Sequence, residues 1–213
     1  MKLNPHSQLW AVVMAAAASA LIAAAPALAQ APTAMASFQL TSVAFHDGAN
    51  IPVEYTCDGA GNSAPLRWSG APAGTRSFAL VMFDPDARPP QGFVHWVAYD
   101  IPPAITEIPS GKNDAGKLPV GGTNGDNGAR RTGFTPSCPP AGPPHHYQFT
   151  LYALSVPSLG LPDGASRDQL LEAMKGKILA QTQLIGLYAG SPNRPPRPRR
   201  GPARGNPNPP PAR

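Results

Sequence analysis

Short runs of strand-forming residues, separated by turn signals, constrain the fold of this chain more than any other feature. The runs lie at residues 37–43, 51–56, 77–83, 93–101 and 146–154 and are rich in Val, Phe, Tyr, Trp and Thr. Gly, Pro and Asp residues that favour turns lie between them. Because these runs do not alternate with helices, the sequence predicts a mainly-β, sandwich-like domain and not a doubly wound α/β fold.

Helical signals appear only late in the chain. Ser166 and Gln169 have the spacing of a capping box, the residues that follow are apolar at helical spacing, and Gly176 marks an end. A second short helix is predicted at residues 178–183. Between residues 110 and 144 the chain is rich in Gly, Pro and Asn and has no periodicity. A loop of that length inside a compact domain is usually functional.

Residues 1–29 have the organisation of a cleavable export signal. After a basic start, an alanine-rich apolar stretch covers residues 9–25, and a small-x-small tripeptide, Ala-Leu-Ala, precedes Gln30. The alternative is an uncleaved membrane anchor, but alanine is only weakly apolar and a proline interrupts the stretch. We therefore expect a periplasmic or secreted protein without a transmembrane span, whose mature N-terminal segment is residues 30–36.

Residues 189–213 form a tail that cannot build a core. The segment is rich in Pro, Arg, Gly and Asn and contains no Val, Ile, Leu or aromatic residue. Such a composition cannot bury enough apolar surface to offset the entropy of ordering, so we expect a disordered tail. It can touch anionic surfaces such as lipid headgroups or envelope polymers, or it can be a solvated extension without a partner. Its positive charge comes from Arg194, Arg197, Arg199, Arg200, Arg204 and Arg213.

The basic charge of the chain belongs to this tail and not to the body. The formal net charge is +5, but residues 30–188 carry ten basic and twelve acidic side chains, which is a net charge near −2. A body of that charge does not indicate a surface for nucleic acid, whose backbone requires basic patches. We therefore expect no nucleic-acid partner.

Cys57 and Cys138 are the two cysteines of the chain. An even number in an exported protein, whose compartment is oxidising, favours a disulfide. Closing a loop of this length stabilises the folded state by about 4–5 kcal/mol in the chain-entropy model. Two free buried thiols are the alternative.

Acidic and histidine side chains lie where predicted strands begin or end. Asp84 and Asp86 directly follow the run at 77–83, His95 lies in the next run, and His145 precedes the last one. An aspartate beside a histidine favours the imidazolium form, and imidazolium together with free backbone N–H groups attracts a small anion. If these strand ends share one rim, the sequence predicts an anion pocket there.

The direction of the His95 side chain depends on the pleat of its strand. Strict alternation places His95 on the same face as Val97 and on the face opposite to Trp96. The two predicted faces are Phe93, His95, Val97 and Tyr99 against Val94, Trp96 and Ala98.

Several segments resemble the phosphatidylethanolamine-binding protein family, also called Raf kinase inhibitor-like. The signature segments of that family are similar to Asp-Pro-Asp-Ala at 84–87, Gly-Phe-Val-His-Trp-Val at 92–97 and His-His-Tyr at 145–147. Features of its bacterial branch resemble the segments at 38–42, 55–59, 66–70, 72–75 and 173–180. The resemblance runs in unbroken order over residues 37–188, which we therefore take as the domain.

This resemblance implies a Greek-key β-sandwich with one or two short helices near its C-terminal end and a rigid pocket at one end. The pocket would accept a small anionic group of the phosphate or phosphoethanolamine kind, such as a phospholipid headgroup. We expect a non-enzymatic binding protein with no cofactor and no metal. The implied ligand-binding residues are Asp84, His95, Pro139 and His145, with Asp86 and Tyr147 in support.

Three positions depart from the family pattern. Arg88 occupies the position at which the Asp-Pro-Asp-Ala-Pro segment of the family has its last proline, and in this chain the proline follows one residue later, at Pro89. This departure leaves the shape of the pocket rim and its ligand preference open. Pro-Ser at 136–137 stands where bacterial relatives usually have Gly-Pro, and Lys177 replaces a common histidine. The kinase binding of eukaryotic members is not implied for an exported chain.

Two other functions compete with a ligand carrier. The first is an inhibitor or interaction protein of an extracytoplasmic enzyme, with the pocket as a docking notch. The second is a metal-dependent hydrolase, because Asp84, Asp86, His95 and His145 are ligand types for zinc or iron. The second lacks a tight His spacing and a separate general base.

The predicted export signal determines the mass that we expect for the mature protein. Cleavage after Ala29 should give a secreted form that begins at Gln30. Intact-mass spectrometry of protein recovered from the periplasm or medium measures this directly. A form that retains Met1 and fractionates with membranes would contradict the prediction.

Overall fold

The computed structural model describes residues 37–193. The predicted export signal, the segment 30–36 and the arginines of the tail lie outside the described residues. Within them the chain forms nine strands, one α-helix and a 3₁₀ turn at Val53–Tyr55. The elements in chain order are β1 (Gln39–Thr41), β2 (Ala49–Asn50), β3 (Leu66–Ser69), β4 (Ser77–Asp84), β5 (Phe93–Ile101), β6 (Glu107–Ile108), β7 (Thr123–Asn124), β8 (His145–Leu154), α1 (Arg167–Met174) and β9 (Ile178–Tyr188).

The strands form two sheets, which confirms the mainly-β prediction. The smaller sheet has the order β1-β3-β6, and the larger has the order β2-β9-β8-β4-β5-β7. All pairs are antiparallel except β2 with β9. The pairing partners are mostly distant in sequence, so the fold depends on long-range contacts.

The main core joins the two sheets. Trp68 of the small sheet lies edge-on against Phe78 of the large sheet, with ring centroids 5.4 Å apart, and Phe149 belongs to the same buried cluster. Burying a side chain of this size stabilises the fold by roughly 1.5–3 kcal/mol. The opposite face of the large sheet is covered by α1, through Leu170 and Met174.

Strand β4 lies at the centre of the large sheet, between β5 and β8. Its side chains are buried on both faces except Phe83, so its sequence is almost continuously apolar. Strand β8 alternates instead, because mainly one of its faces is buried. Since β4 and β8 are antiparallel, the end of β4 lies beside the beginning of β8. This arrangement brings Asp84 close to His145.

A β-bulge in β5 overturns the strict alternation predicted for this strand. Met82 pairs with Trp96 and Phe83 with Val94, so His95 is an extra residue in the ladder. The bulge reverses the pleat: Val94 and Val97 pack on the helix-covered face, whereas Trp96 belongs to the core between the sheets. As a result His95 is directed to the inter-sheet side, where its ring contacts Tyr147.

The second predicted helix, at residues 178–183, is wrong. This segment is the first half of β9, which pairs with β8 from Leu154 to His145. Ile178 and Leu179 are apolar but exposed, so the apolar residues of this segment do not recur with the clear period of a helix or of a strand. Pairing with a long neighbouring strand overrides such weak local preferences. The capping box of α1 is confirmed, with Ser166 and Gln169 bonded reciprocally.

The predicted strand at 51–56 is also wrong. Pro52 begins a 3₁₀ turn over Val53–Tyr55, and the adjoining strand is only Ala49–Asn50. A proline fixes φ and has no N–H group, which suits the start of a helical turn better than a strand. Strand β3 was not predicted as a strand, although its residues alternate between buried and exposed.

No helix within residues 37–193 is long and apolar enough to cross a membrane.

Asn124 ties the long loop to the large sheet. Its fully buried side chain accepts a hydrogen bond from Trp96 Nε1 (2.8 Å) and donates to the carbonyls of Asn113 (3.2 Å) and Ala115 (2.7 Å). Asn124→Ala should lower the free energy of unfolding by about 2–4 kcal/mol, because buried polar groups lose their partners. Urea denaturation measures the change.

A surface variant provides the control. Gln183→Ala removes an exposed hydrogen bond to Thr150 in the same sheet. It should change stability by no more than about 0.5 kcal/mol. Equal effects at positions 124 and 183 would show that Asn124 does not hold the loop.

Candidate anion-binding site

A pocket of about 340 Å³ opens where β4 ends and β8 begins. The structure brings all six of the predicted ligand-binding and supporting residues to this pocket. The lining residues are Asp84, Asp86, Ala87, Arg88, Phe93, His95, Thr135, Pro136, Cys138, Pro139, Pro140, His145 and Tyr147.

The carboxylate of Asp84 lies at the base of the site and is only 2% exposed. Its Oδ1 accepts hydrogen bonds from the backbone N–H groups of Asp86 (2.9 Å) and Ala87 (3.1 Å). Its Oδ2 accepts from Nδ1 of His145 at 2.8 Å and lies 3.9 Å from Nε2 of His95. One oxygen therefore holds the turn that follows β4, and the other faces two histidines.

This environment keeps Asp84 ionised. Burial by itself would raise the pKa of Asp84, but the imidazoles of His95 and His145, through polar and charge interactions, lower the pKa below the ordinary value. A buried carboxylate that remains charged stabilises positive charge on its neighbours. The pocket thus contains a fixed negative charge beside His95 and His145.

His95 is fixed on several sides. Its Nδ1 lies 2.8 Å from the carbonyl oxygen of Thr135, and its ring is edge-on to Phe93 (4.8 Å between centroids) and to Tyr147 (5.2 Å). Because a carbonyl can only accept, Nδ1 carries the proton and Nε2 is directed towards Asp84.

His145 is held in the same way by Asp84. A carboxylate also only accepts, so Nδ1 of His145 donates to Asp84 and its Nε2 is left for other contacts. The ring stacks on Tyr147, with centroids 6.4 Å apart. In both His95 and His145 the Nδ1 proton is already used, so donation from Nε2 to an anion requires the imidazolium form. Anion binding by these two nitrogens is therefore coupled to protonation.

The side chain of Asp86 joins the turn after β4 to the start of β8. Its Oδ2 accepts from both the backbone N–H (2.7 Å) and Nδ1 (2.8 Å) of His146. The backbone hydrogen bond from His146 is the main reason why the pKa of Asp86 is lowered. This contact fixes the strand position from which the preceding residue, His145, reaches the pocket.

Pro139 and its neighbour Pro140 form a stiff wall. The disulfide between Cys57 and Cys138 lies directly beside them, with Cα atoms 5.3 Å apart, and the backbone N–H of Cys57 donates to the carbonyl of Ser137 (3.0 Å). Proline fixes φ and the disulfide ties the wall to the segment after the 3₁₀ turn. The wall therefore has little freedom to move.

Seven lining residues were not predicted as ligand-binding or supporting residues, and three of them shape the site. Phe93 packs on His95, and Thr135 supplies the carbonyl that orients it. Arg88 was noted as a departure from the family pattern, and it adopts a left-handed φ of 49° with its guanidinium carbon 5.4 Å from the centroid of Phe93. A side chain at positive φ is unusual for a residue other than glycine. Nothing in the sequence signals the turn geometry at Arg88 or the carbonyl of Thr135.

No three His, Cys, Asp or Glu side chains of the described part of the chain are arranged to hold a metal ion. In the Asp84 cluster, Oδ2 of the carboxylate is bonded to His145. The observed arrangement is that of a hydrogen-bonded group of side chains around the Asp84 carboxylate.

Comparisons with known proteins agree with this geometry. The family profile described as phosphatidylethanolamine-binding protein matches residues 41–189. A UPF0098 protein of Methanothermobacter thermautotrophicus is 46% identical over 149 residues, which are 70% of this chain and 97% of the relative. A Mycobacterium tuberculosis protein named "Putative lipoprotein LppC" is 42% identical over 152 residues, which are 71% of this chain and 72% of the relative.

A solved structure shows the same fold. Escherichia coli YbcL, whose structure is described as that of a new member of the mammalian PEBP family, matches with a TM-score of 0.66 and 32% sequence identity. The match covers 72% of this chain and 99% of YbcL. The chain belongs to the phosphatidylethanolamine-binding protein family, in its bacterial branch, and is a binding protein of that kind.

The lowered pKa values predict how stability responds to acid. A carboxylate whose folded-state pKa is depressed stabilises the fold above its unfolded pKa, about 3.9 for aspartate, and this contribution disappears as pH falls through the folded value. Stability should therefore fall more steeply below about pH 4 in the natural protein than in Asp84→Asn, which has no such carboxylate. Urea denaturation at a series of pH values measures this difference.

Asp86→Asn is the comparison variant, because Asp86 is partly exposed. It should remove a smaller part of the acid sensitivity. Identical profiles for the natural protein and Asp84→Asn would contradict the electrostatic description of the site.

Proposed function

We propose that this chain is an exported, non-enzymatic binding protein whose pocket takes a small anionic group of the phosphate or phosphoethanolamine kind. The observation that carries the proposal is a buried Asp84 carboxylate that is bonded to His145 and lies beside His95 in a pocket with apolar walls. As imidazolium, the two rings offer Nε2–H donors to one anion, and charge-assisted hydrogen bonds of this type are strong. Pro139 and Phe93 provide apolar surface beside that anion.

The size and stiffness of the site fit this role. A volume of about 340 Å³ admits a headgroup, and the cluster is already bonded before a ligand arrives. A preformed site loses little free energy to ordering on binding. The positions have fixed roles: Asp84 orients and charges the histidines, His95 and His145 contact the anion, Pro139 forms a wall, and Asp86 with Tyr147 supports them.

Extracytoplasmic location is part of the proposal. It is supported by the export-signal pattern in residues 1–29, the two cysteines that meet in a disulfide, and a relative whose name contains "lipoprotein". Phosphate and phospholipid headgroups are available in that compartment.

Calorimetric titration with phosphoethanolamine tests the pocket. His95→Ala or His145→Ala should weaken binding by about 1.5–3 kcal/mol, the usual value of a charge-assisted hydrogen bond. This is roughly a tenfold to hundredfold rise in Kd. Because donation from Nε2 needs a second proton, affinity should also fall as pH rises above the range in which histidine ordinarily titrates, about 6.5. The matched control is His46→Ala, since His46 is exposed and does not line the pocket.

The substitution Asp84→Ala distinguishes two possible roles of this carboxylate in anion binding. If Asp84 acted only as a negative charge, its removal would strengthen anion binding. In our proposal it holds the imidazoles charged and aimed, so its removal weakens binding. Thermal unfolding of the variant establishes that it is folded. Tighter binding by Asp84→Ala, or binding unaffected by both histidine substitutions, would refute the proposal.

The same titration distinguishes the competing functions. Binding that a chelator abolishes would assign the protein to the metal-dependent class. Tight capture of an envelope enzyme, unaffected by the substitution at His145, would favour the inhibitor function.

A further inference from the structure

A second, larger cavity adjoins the proposed anion pocket. Its volume is about 760 Å³, and Thr135 and Pro136 line both cavities. The disulfide also belongs to both, since Cys138 lines the first cavity and Cys57 lines the second. The two cavities are therefore neighbours with a shared wall, and part of that wall is covalently held.

Thr135 contacts the two cavities through different atoms. Its carbonyl oxygen lies 2.8 Å from Nδ1 of His95 in the first pocket. Its hydroxyl oxygen accepts hydrogen bonds from the side chains of Asn127 (3.0 Å) and Arg131 (3.3 Å), which line the second cavity. No histidine of the described residues lines the second cavity. It is thus a separate polar site and not an extension of the histidine pocket.

The backbone of Arg131 is fixed by a tight loop around Asn127. Asn127 is only 5% exposed, and its Oδ1 accepts from the N–H of Ala129 (2.9 Å) while its Nδ2 donates to the carbonyl of Gly133 (2.9 Å). The backbone N–H of Asn127 donates to the carbonyl of Arg131 (2.9 Å). Because this loop closes on itself, the position from which Arg131 reaches the cavity is set before any ligand binds.

Lys112 reaches the same cavity from a second fixed segment. The carbonyl of Gly111 accepts from the backbone N–H of Ser63 (2.7 Å), and the buried side chain of Asn113 donates to the hydroxyl of Ser63 (2.8 Å). Both sequence neighbours of Lys112 are therefore anchored. The ammonium group of Lys112 donates to the carbonyl of Ala60, which also lines the cavity.

Lys112 and Arg131 keep donors that the fold does not use. An ammonium has three N–H donors and a guanidinium has five. Within residues 37–193, the side chain of each forms one hydrogen bond, to a neutral oxygen, and neither forms an ion pair with a carboxylate. Asp114 is the acidic side chain among the lining residues, so the cavity has two positive charges and one negative charge.

From these contacts we propose that the second cavity binds a small molecule with two anionic groups, carboxylates or phosphates. Lys112 and Arg131 lie on separate segments, and each can bind one of the two groups by charge-assisted hydrogen bonds. The volume is more than twice that of the histidine pocket, so it admits more than a single ion. The lining has a net charge of +1, whereas residues 30–188 are near −2, so the cavity attracts anions that the body as a whole does not. This site goes beyond the function proposed for the histidine pocket and does not depend on it.

Calorimetric titration tests the site with citrate, inorganic pyrophosphate and acetate as probes. The full chain carries His145→Ala in every titration, so that the first pocket contributes little, and an ionic strength of about 0.15 M screens weak long-range attraction. Citrate or pyrophosphate should bind, and the tighter of the two identifies the acid as a carboxylate or a phosphate. Acetate should bind at least about tenfold more weakly, because one anionic group cannot engage both cations.

Two pairs of substitutions locate the binding. Lys112→Gln with Arg131→Gln should raise the Kd of the tighter probe about tenfold or more, the factor expected for the loss of a charge-assisted hydrogen bond. Arg76→Gln with Lys175→Gln is the matched control, because it removes the same charge from positions that line neither cavity, and it should change the Kd by no more than about twofold. All four side chains are exposed, so both proteins should fold, and thermal unfolding checks this.

The outcomes bear on the second cavity alone. Absence of binding of both citrate and pyrophosphate at millimolar concentration would overturn the proposal. A loss of affinity no greater in the cavity pair than in the control pair would also overturn it, since the probe would then bind elsewhere or respond only to overall charge. The binding of phosphoethanolamine by the natural protein is measured separately, so the function proposed for the histidine pocket stands or fails on its own titration.

Discussion

The carboxylate of Asp84 is the contact on which the rest of the site depends. It joins three parts of the fold: the turn after β4 through two backbone N–H groups, β8 through His145, and β5 through the nearby His95. In water such a carboxylate would be solvated, but here it is buried and its pKa is lowered by those partners. Burial and pairing together couple these side chains, so that removing one of them changes the environment of the others.

The architecture explains why this group of side chains can exist at the end of an apolar core. Tyr147 continues the row of buried side chains on the inter-sheet face of β8 and separates the imidazoles from that core. On the other side, the proline wall is held by a disulfide and by the end of β9. The histidines therefore lie in a pocket whose lining combines apolar and charged side chains.

Local patterns in the sequence predicted those elements whose structure is set locally. The capping box at Ser166 and the apolar runs of β4 and β5 are of this kind. Asp84, Asp86, His95 and His145 were candidates because of their places near strand ends, whereas Pro139 and Tyr147 came from the resemblance to a family. Features that depend on a distant partner were missed. The segment of β9 is a strand because β8 pairs with it. The carbonyl of Thr135 orients His95 only because the long loop returns to that histidine. Such contacts have no signal in their own segment.

The bulge at His95 makes the length of β5 as important as its composition. On one side of the bulge the strand aligns Phe93 with Asp84, and on the other it aligns Trp96 with Met82 in the core. Deleting one residue between Phe93 and Trp96 would restore the regular pleat, and one residue would then occupy the place that Val94 and His95 now share. The extra residue therefore allows two neighbours in sequence, His95 and Trp96, to lie on the same side of the sheet, one at the pocket and one in the core, which a regular strand does not allow.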